Sequence, residues 1–553
     1  MFRQSFGPAR TRRSSRDSRP RPASLSYVPW WTLTVGFLAL LAIAVPLGAM
    51  FTTVAWPQFL EILSRPSSVD AIVVSVKTAV AAVAIDLVLG IPLAIVLSKH
   101  GRFVRVARII VALPLALPPV VAGLALVNVF GRRGFLGAPL EHLGIHIAFT
   151  SVAVVLAQVF VSLPFFVIAV ESALRSRPAG LEETAATLGA SPTRTLLTVS
   201  LPSIRFGIAR GTLLALARCL GEFGATLTFA GSFQGTTRTL SLQIYLSRES
   251  DPDEAIALGV CLILVAALIA VLTELKFRSP RNRGMVSPAG SALADVSPTD
   301  TFDAEETDSE SEAGHGFLPA SRGHSVALGT RTKCPSITIN GSVVGRSWHV
   351  HLQVQSGETV ALMGPNGSGK STLCQVICGV LSLDSGELTL RGEDVDTPRR
   401  FVPPHMRKIA VMAQKPLLFS HISVLDNVAF PLIAAGYRRK DARLRAGQLL
   451  EEVNCSALAS SRPYALSGGE TARVAFARTI AASPDIIVLD EPTAHLDTAS
   501  RALLRTLLNR YVRDREVTTI LVTHSAQEAE QLAHRVVTMT QGTIVASSDV
   551  THR

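Results

Sequence analysis

Two sets of residues in the C-terminal half have types and spacing suited to polyphosphate chemistry. The first is the loop Gly364-Pro365-Asn366-Gly367-Ser368-Gly369-Lys370-Ser371-Thr372, which follows an apolar run ending at Met363. Its glycines let the backbone turn so that successive N–H groups face inward, and a helix opening near Lys370 adds the positive end of its dipole. Together these make a phosphate cradle. Lys370 would reach the β- and γ-phosphates, and the Ser371 hydroxyl would sit on Mg²⁺. The strand before the loop and the apolar helix after it (Leu373, Val376, Ile377, Val380) are the context such a loop needs.

The second set is acid and imidazole. Ile486-Ile-Val-Leu489 reads as a buried strand ending in Asp490-Glu491-Pro492. Facing the phosphate loop, Asp490 can hold Mg²⁺ while Glu491 polarises the attacking water. A second strand, Thr519-Ile-Leu-Val522, ends in Thr523-His524, which places an imidazole within reach of a γ-phosphate. Between loop and acid stand Gln414, in Val411-Met-Ala-Gln-Lys-Pro416, and Leu466-Ser467-Gly468-Gly469-Glu470, which opens a helix. This is a second anion-ready helix start. One chain cannot easily aim both at one nucleotide, whereas two chains facing head to tail can.

Taken in order, residues 364–372, 414, 466–470, 490–491, 497 and 524 resemble the nucleotide-binding domain of ABC transporters. The resemblance implies ATP and Mg²⁺ as cofactors, with Glu491, His524 and Gln414 as the catalytic set and Ser371, Gln414 and Asp490 around the metal. It also implies that Ser467, Gly468 and Gly469 bind the ATP held by an opposite protomer, and that Asp497, in Ala494-His-Leu-Asp, is the D-loop acid. Two features depart from the family pattern. Glu470-Thr-Ala-Arg473 replaces the glutamines common before that arginine, leaving the Ser467 and Gly469 roles intact, and no aromatic stands near Gly341 to stack on adenine, with Trp348 a weak substitute.

These elements need only the last 220 or so of 553 residues, and the remainder has a different composition. The chain is 48% hydrophobic with a mean hydropathy of +0.36, so part of it belongs in lipid. Spanning segments are expected at about 28–55, 70–97, 109–130, 149–171, 206–230 and 255–275. The first is too long for a signal-peptide core and is read as a retained span. Six spans put both termini on one side. Positive charge assigns that side to the cytoplasm: Lys99, Arg102, Arg105 and Arg108 follow the second span, Arg175, Arg177, Arg194 and Arg205 the fourth, and Lys276, Arg278, Arg281 and Arg283 the sixth. Arg132 and Arg133 are the exception.

Lys77, Asp86, Arg218 and Glu222 are costly inside spans and should face other helices or a water-filled path. Arg218 and Glu222, at i and i+4, suit a mutual ion pair. Pro114, Pro118 and Pro119 signal a broken third helix.

Glu183-Thr-Ala-Ala-Thr-Leu-Gly189, with Val199-Ser-Leu-Pro202 downstream, gives Ala185, Leu188 and Gly189 a small apolar face suited to docking. Its spacing resembles the EAA loop of ABC importer permeases, in which this loop is the coupling helix that rests on the ATPase. The residues matched here are Glu183, Ala185 and Gly189. Leu220-Gly-Glu-Phe-Gly-Ala-Thr226 and Thr239-Leu-Ser-Leu-Gln-Ile-Tyr245 resemble the permeases of molybdate, tungstate or sulfate importers over residues 70–275.

The expected organisation is therefore a basic tail at 1–27, an all-α six-helix transmembrane permease at 28–278, an acidic linker at 279–332 and an α/β P-loop ABC domain at 333–553. Tail and linker cannot bury enough apolar surface to order, and eight acids fall between Asp295 and Glu312. The implied protein is a multi-pass cytoplasmic-membrane importer of molybdate, or of sulfate or tungstate, working as a homodimer with an extracytoplasmic oxyanion-binding protein and in contact with lipid.

The rival reading, an anchored ABC ATPase that moves no solute, leaves the EAA loop and the intramembrane charges unexplained. Nucleic acid is excluded as a partner: the net charge of +11 owes much to seven arginines within the first 21 residues, before a span, and no groove-reading motif accompanies them. The six cysteines show no C-x-x-C pair, so neither zinc nor a disulfide framework is implied.

Overall fold

The computed structural model describes residues 30–99, 101–276, 335–494, 496–514 and 517–550; the expected tail at 1–27 and linker at 279–332 lie outside the described residues. The chain divides into two compact units. One comprises Met1–Pro92, Gly101–Val167 and Thr212–Lys276, and the other Leu93–His100, Ile168–Gly211 and Phe277–Arg553.

The first unit is helical. Trp31–Thr53, Pro66–Leu97, Ser151–Arg175 and Pro252–Thr273 are each long and apolar enough to cross a membrane. Two further spans exist only as bent pairs: Arg102–Ala116 with Pro119–Phe130, turning by 116°, and Arg205–Leu220 with Gly224–Ala230, turning by 60°. The first break has a local cause. Leu117 is forced into an extended conformation (ψ 135°) before Pro118, and two successive prolines donate no backbone hydrogen bond.

The break expected from the prolines of the third span therefore falls at Leu117 and Pro118, while Pro114 stays inside the helix. The helix starts at Arg102, so Arg102, Arg105 and Arg108 ride on a helix and not in a loop. At the second break Glu222 takes over the satisfaction of freed backbone, its Oε1 accepting the Ala225 N–H at 3.0 Å. The half-helices Pro119–Phe130 and Gly224–Ala230 approach closely: a Cβ on Gly224 would lie 2.5 Å from Pro119 Cβ, and one on Gly123 1.6 Å from Thr228 Oγ1. Small residues serve that purpose between membrane helices.

Three of the four costly polar residues turn inward. Glu222 is 1% exposed and pairs with Arg218 at 3.1 Å. Asp86 is fully buried and accepts the Ser162 hydroxyl at 2.5 Å. Lys77 does not follow the expectation. It is exposed beside Val76, because Ser75, Thr78, Ala79 and Ala82 take the packed face of its helix.

The second unit is built on two sheets. One is antiparallel, in the order Trp348–Gln355, Pro335–Val343, Ser385–Leu390, Glu393–Thr397, Arg400–Phe401. The other runs Thr543–Asp549, Arg535–Thr540, Thr359–Met363, Thr518–Val522, Ile486–Asp490, Ile409–Met412, parallel except at its Thr543–Asp549 edge. Parallel strands covered on both faces read as continuous apolar runs, and Val360, Leu362, Ile486, Val488, Ile520 and Val522 pack into one core with Leu373, Val376 and Ile377 of the helix Lys370–Cys378.

Candidate active site

Four adjacent parallel strands discharge their carboxyl ends on one side of the sheet, the edge where open α/β sheets form ligand crevices. Met363 leads into the phosphate loop, Leu489 into Asp490, Val522 into Thr523-His524 and Met412 toward Gln414. The loop needs glycine at two points in particular. Gly364 has φ +140° and a Cβ there would lie 2.2 Å from the Met539 carbonyl oxygen; Gly369 has φ +100° and a Cβ there would meet the Trp348 ring at 2.7 Å. Lys370 Nζ folds back onto the loop, donating to the carbonyls of Gly364 (2.8 Å) and Pro365 (2.9 Å).

Glu491 sits at the centre, with a left-handed backbone (φ +48°). His524 Nε2 lies 2.7 Å from its Oε1, and Gln414 Nε2 donates to its Oε2 at 2.7 Å. The three residues singled out separately as catalytic therefore form one cluster that fixes a carboxylate. Burial first, and the charge of Glu491 second, push the neighbouring Asp490 carboxyl above its ordinary range, against the pull of Lys370 and His524. Two crowded carboxylates of this kind favour a bound cation. Ser371, Gln414 and Asp490 all line the same cavity and offer it oxygen donors, the Gln414 amide oxygen being left over once its nitrogen has gone to Glu491.

That cavity, about 610 Å³, is walled by Asn366 to Thr372, Gln414, Asp490, Glu491 and His524. Gly364 and Pro365 do not line it; they act through Lys370. Ser467, Gly468, Gly469 and Asp497 also stand outside it. Ser467 and Glu470 form a capping box, with the Glu470 carboxylate on the Ser467 N–H at 2.7 Å. The departure at Glu470 thus occupies part of the helix start thought free for an anion. Asp497 accepts the Ser500 N–H at 2.9 Å, which holds its carboxyl below the usual range.

Trp348 is corrected as an adenine platform. It is 2% exposed, and its indole N–H donates to the Gly369 carbonyl at 3.2 Å, because the alternation of its strand turns it under the loop. The cavity wall instead includes Arg346, Ser347, Gln541 and Gly542, which sequence reasoning missed. Arg346 Nη1 donates to Thr372 Oγ1 (3.1 Å) and Gln375 Oε1 (2.8 Å).

Within the same unit the short helix Leu181–Thr187 presents the expected apolar face. Leu181, Ala185, Leu188, Ala190 and Val199 pack with Phe419 and Phe430. Gly189 ends the helix with φ +86°, and a Cβ there would lie 3.7 Å from Ala434 Cβ. Glu183 is exposed and outside this cluster. A His421 ring nitrogen (Nε2) meets the Thr198 carbonyl at 2.8 Å.

Two family models match the chain, one described as ABC transporter over residues 348–494 and one as binding-protein-dependent transport system inner membrane component over residues 86–277. The molybdenum transport system permease protein ModB of Mycobacterium tuberculosis is 50% identical over 245 residues, 44% of this chain and 93% of ModB. The chain belongs to the ABC importers. In this importer a membrane permease and a nucleotide-binding ABC ATPase are fused. The maltose/maltodextrin import ATP-binding protein MalK of Yersinia pestis is 38% identical over 195 residues, 35% of the importer and 52% of MalK, so the importer spans about half of that relative. A dimeric ATP-binding cassette in a post-hydrolysis state, bound to ADP and phosphate, is similar at 27% identity and a TM-score of 0.36, covering 39% of the importer and 97% of that chain.

Proposed function

We propose that the importer carries molybdate into the cytoplasm at the expense of ATP, as a homodimer fed by an extracytoplasmic oxyanion-binding protein. The observation that carries this reading is the 50% identity to ModB across 93% of its length. The ATPase half weighs little in the choice of cargo, since it is also similar to the ATPase of a maltose system. A second copy is supported by the position of Ser467–Gly469 outside the chain's own nucleotide cavity. It is supported too by Lys77, a cation on an outer helix face that lipid would penalise unless another surface covers it. The cations after the second, fourth and sixth spans support cytoplasmic termini.

At the site, Lys370 exchanges its loop carbonyls for the β- and γ-phosphates as ATP enters. Ser371, Asp490 and the Gln414 amide oxygen would hold Mg²⁺, which when bound would supply neutralising charge for the phosphate oxygens. Glu491, fixed by His524 and Gln414, accepts the proton of the attacking water. Ser467 to Gly469 of one copy close on the nucleotide of the other, displacing the Glu470 carboxylate from the helix start. The residues Glu183, Ala185 and Gly189 pass this closure to the permease.

The test is uptake into proteoliposomes with the binding protein present and molybdate, tungstate and sulfate offered singly and in competition. Molybdate should drive uptake and stimulate ATP hydrolysis at the lowest concentration. Preferential uptake of sulfate, or ATP hydrolysis indifferent to every oxyanion, overturns the reading.

A further inference from the structure

Arg478, on the helix Gly468–Ile480, is 3% exposed. Its Nη1 donates to the Leu417 carbonyl at 2.8 Å and its guanidinium lies 5.3 Å from the centre of the Phe419 ring, but its Nε has no hydrogen-bond partner. Arg478 makes no ion pair among the described residues. Burial pulls it down only to about 10, so it carries its charge at neutral pH. A desolvated cation without a counter-charge is a standing cost.

Arg478 lines a second cavity, of about 180 Å³, whose wall carries two carboxylates, Glu183 and Asp490. Asp490 and Ser371 line both this cavity and the nucleotide cavity, so the two share a wall. Asp490 is the carboxylate assigned above to Mg²⁺ on the nucleotide side, which leaves Glu183 for this cavity. Glu183 is not engaged at all, and the contrast with its neighbour is informative. Glu182 braces its own loop, with Lys99 at 3.4 Å, Arg177 at 3.1 Å and the Ser200 hydroxyl at 3.0 Å. Glu183, one residue on, has no partner among the described residues and stands exposed.

We propose that Glu183 and Arg478 close into an ion pair when nucleotide is engaged, making Arg478 the positioning residue that ties the helix beginning at Ser467 to the loop helix Leu181–Thr187. The proposal rests on the reading of that loop as the coupling element. Glu183, Thr184 and Thr187 of the loop helix already line one cavity with Arg478, so the step asks the exposed Glu183 side chain to turn into that cavity. The carboxylate leaves water, but it meets a cation whose desolvation has already been incurred, and their attraction is strong in a low dielectric. The shared wall at Ser371 and Asp490 makes closure of this cavity sensitive to what the nucleotide cavity holds.

The experiment uses the full chain in proteoliposomes with its binding protein and compares E183D, E183Q and E183K. An exposed position makes all three compatible with folding, and retention of a fluorescent ATP analogue checks this. E183D should stay within about threefold of the parent in oxyanion-stimulated hydrolysis and uptake, and E183Q should lose about tenfold. E183K, which sets a cation against a buried cation, should lose about a hundredfold.

In an R478M background the difference between E183 and E183Q should vanish; R478K, which keeps the charge, should preserve it and serves if R478M fails to fold. Equal effects of E183Q and E183K, or a full E183Q loss persisting in R478M, overturn the pairing. If the parent hydrolyses ATP but no oxyanion stimulates it, the cargo reading falls separately. The order E183D, E183Q, E183K is then read on basal hydrolysis, where equal rates overturn the pairing.

Discussion

Replacing Glu491 with glutamine tests the site at its centre. Its carboxylate is held by two contacts of 2.7 Å, one from Gln414 Nε2 and one to His524 Nε2. A glutamine can keep both, its amide oxygen accepting from Gln414 and its amide nitrogen donating to a neutral His524. It is no longer able to accept a proton. Geometry and ATP affinity should therefore survive while the chemical step loses the contribution of a positioned base, about 10²–10⁴-fold. At about 1.36 kcal/mol per decade this is roughly 2.7–5.4 kcal/mol of transition-state stabilisation. The assay is steady-state hydrolysis by the reconstituted importer at saturating ATP, with ATP retention measured on the same sample. Turnover within about tenfold of the parent would refute the assignment, because the smallest contribution expected of a base is larger than that.

Three further outcomes follow from particular contacts. Gly189→Ala should cost about 1–2 kcal/mol for a left-handed backbone, since the space for a Cβ is ordinary; Gly189→Glu, which adds bulk and charge beside Ala434, should abolish uptake while ATP is still bound. Arg218→Gln alone leaves a carboxylate that is 1% exposed without its cation and should destabilise by about 3–5 kcal/mol. The double variant with Glu222→Gln should be milder, and additive losses in thermal unfolding would exclude the pairing. Burial, ahead of the opposing hydrogen bond that the ring N–H donates to the Thr198 carbonyl and with Arg205 and Arg462 adding to it, holds His421 below its ordinary 6.5. A depressed imidazole contributes stability above that value and loses it as pH falls toward the folded value. Uptake should therefore weaken on acidification of the ATP side below about pH 6.5, and His421→Gln should flatten that limb of the profile.

The chemistry of the nucleotide site was legible in the sequence because it lies where local pattern and function coincide. Strands buried on both faces read as apolar runs, and the residues that end them, Asp490, Glu491 and His524, must fall on the same edge of a parallel sheet. The phosphate loop is legible for the same reason, since its glycines answer a local backbone demand. The spans were legible from length and hydropathy, and the third was readable as broken from Pro118 and Pro119. Only the tertiary structure decided how far it turns, that Arg102, Arg105 and Arg108 belong to its helix, and that Lys77 lies on an outer face.

Other features were decided by strand register and by contacts distant in sequence. Alternation put Trp348 under the loop, the turn before its strand left Arg346 at the cavity wall, and bracing by remote Lys99 and nearby Arg177 separated Glu182 from Glu183, which has no partner among the described residues. A sequence states which face of an element is apolar and which residues could react. It does not state which neighbour covers that face, because the covering surface comes from chain hundreds of residues away, and the environment that sets a buried charge such as Arg478 exists only once that surface has arrived.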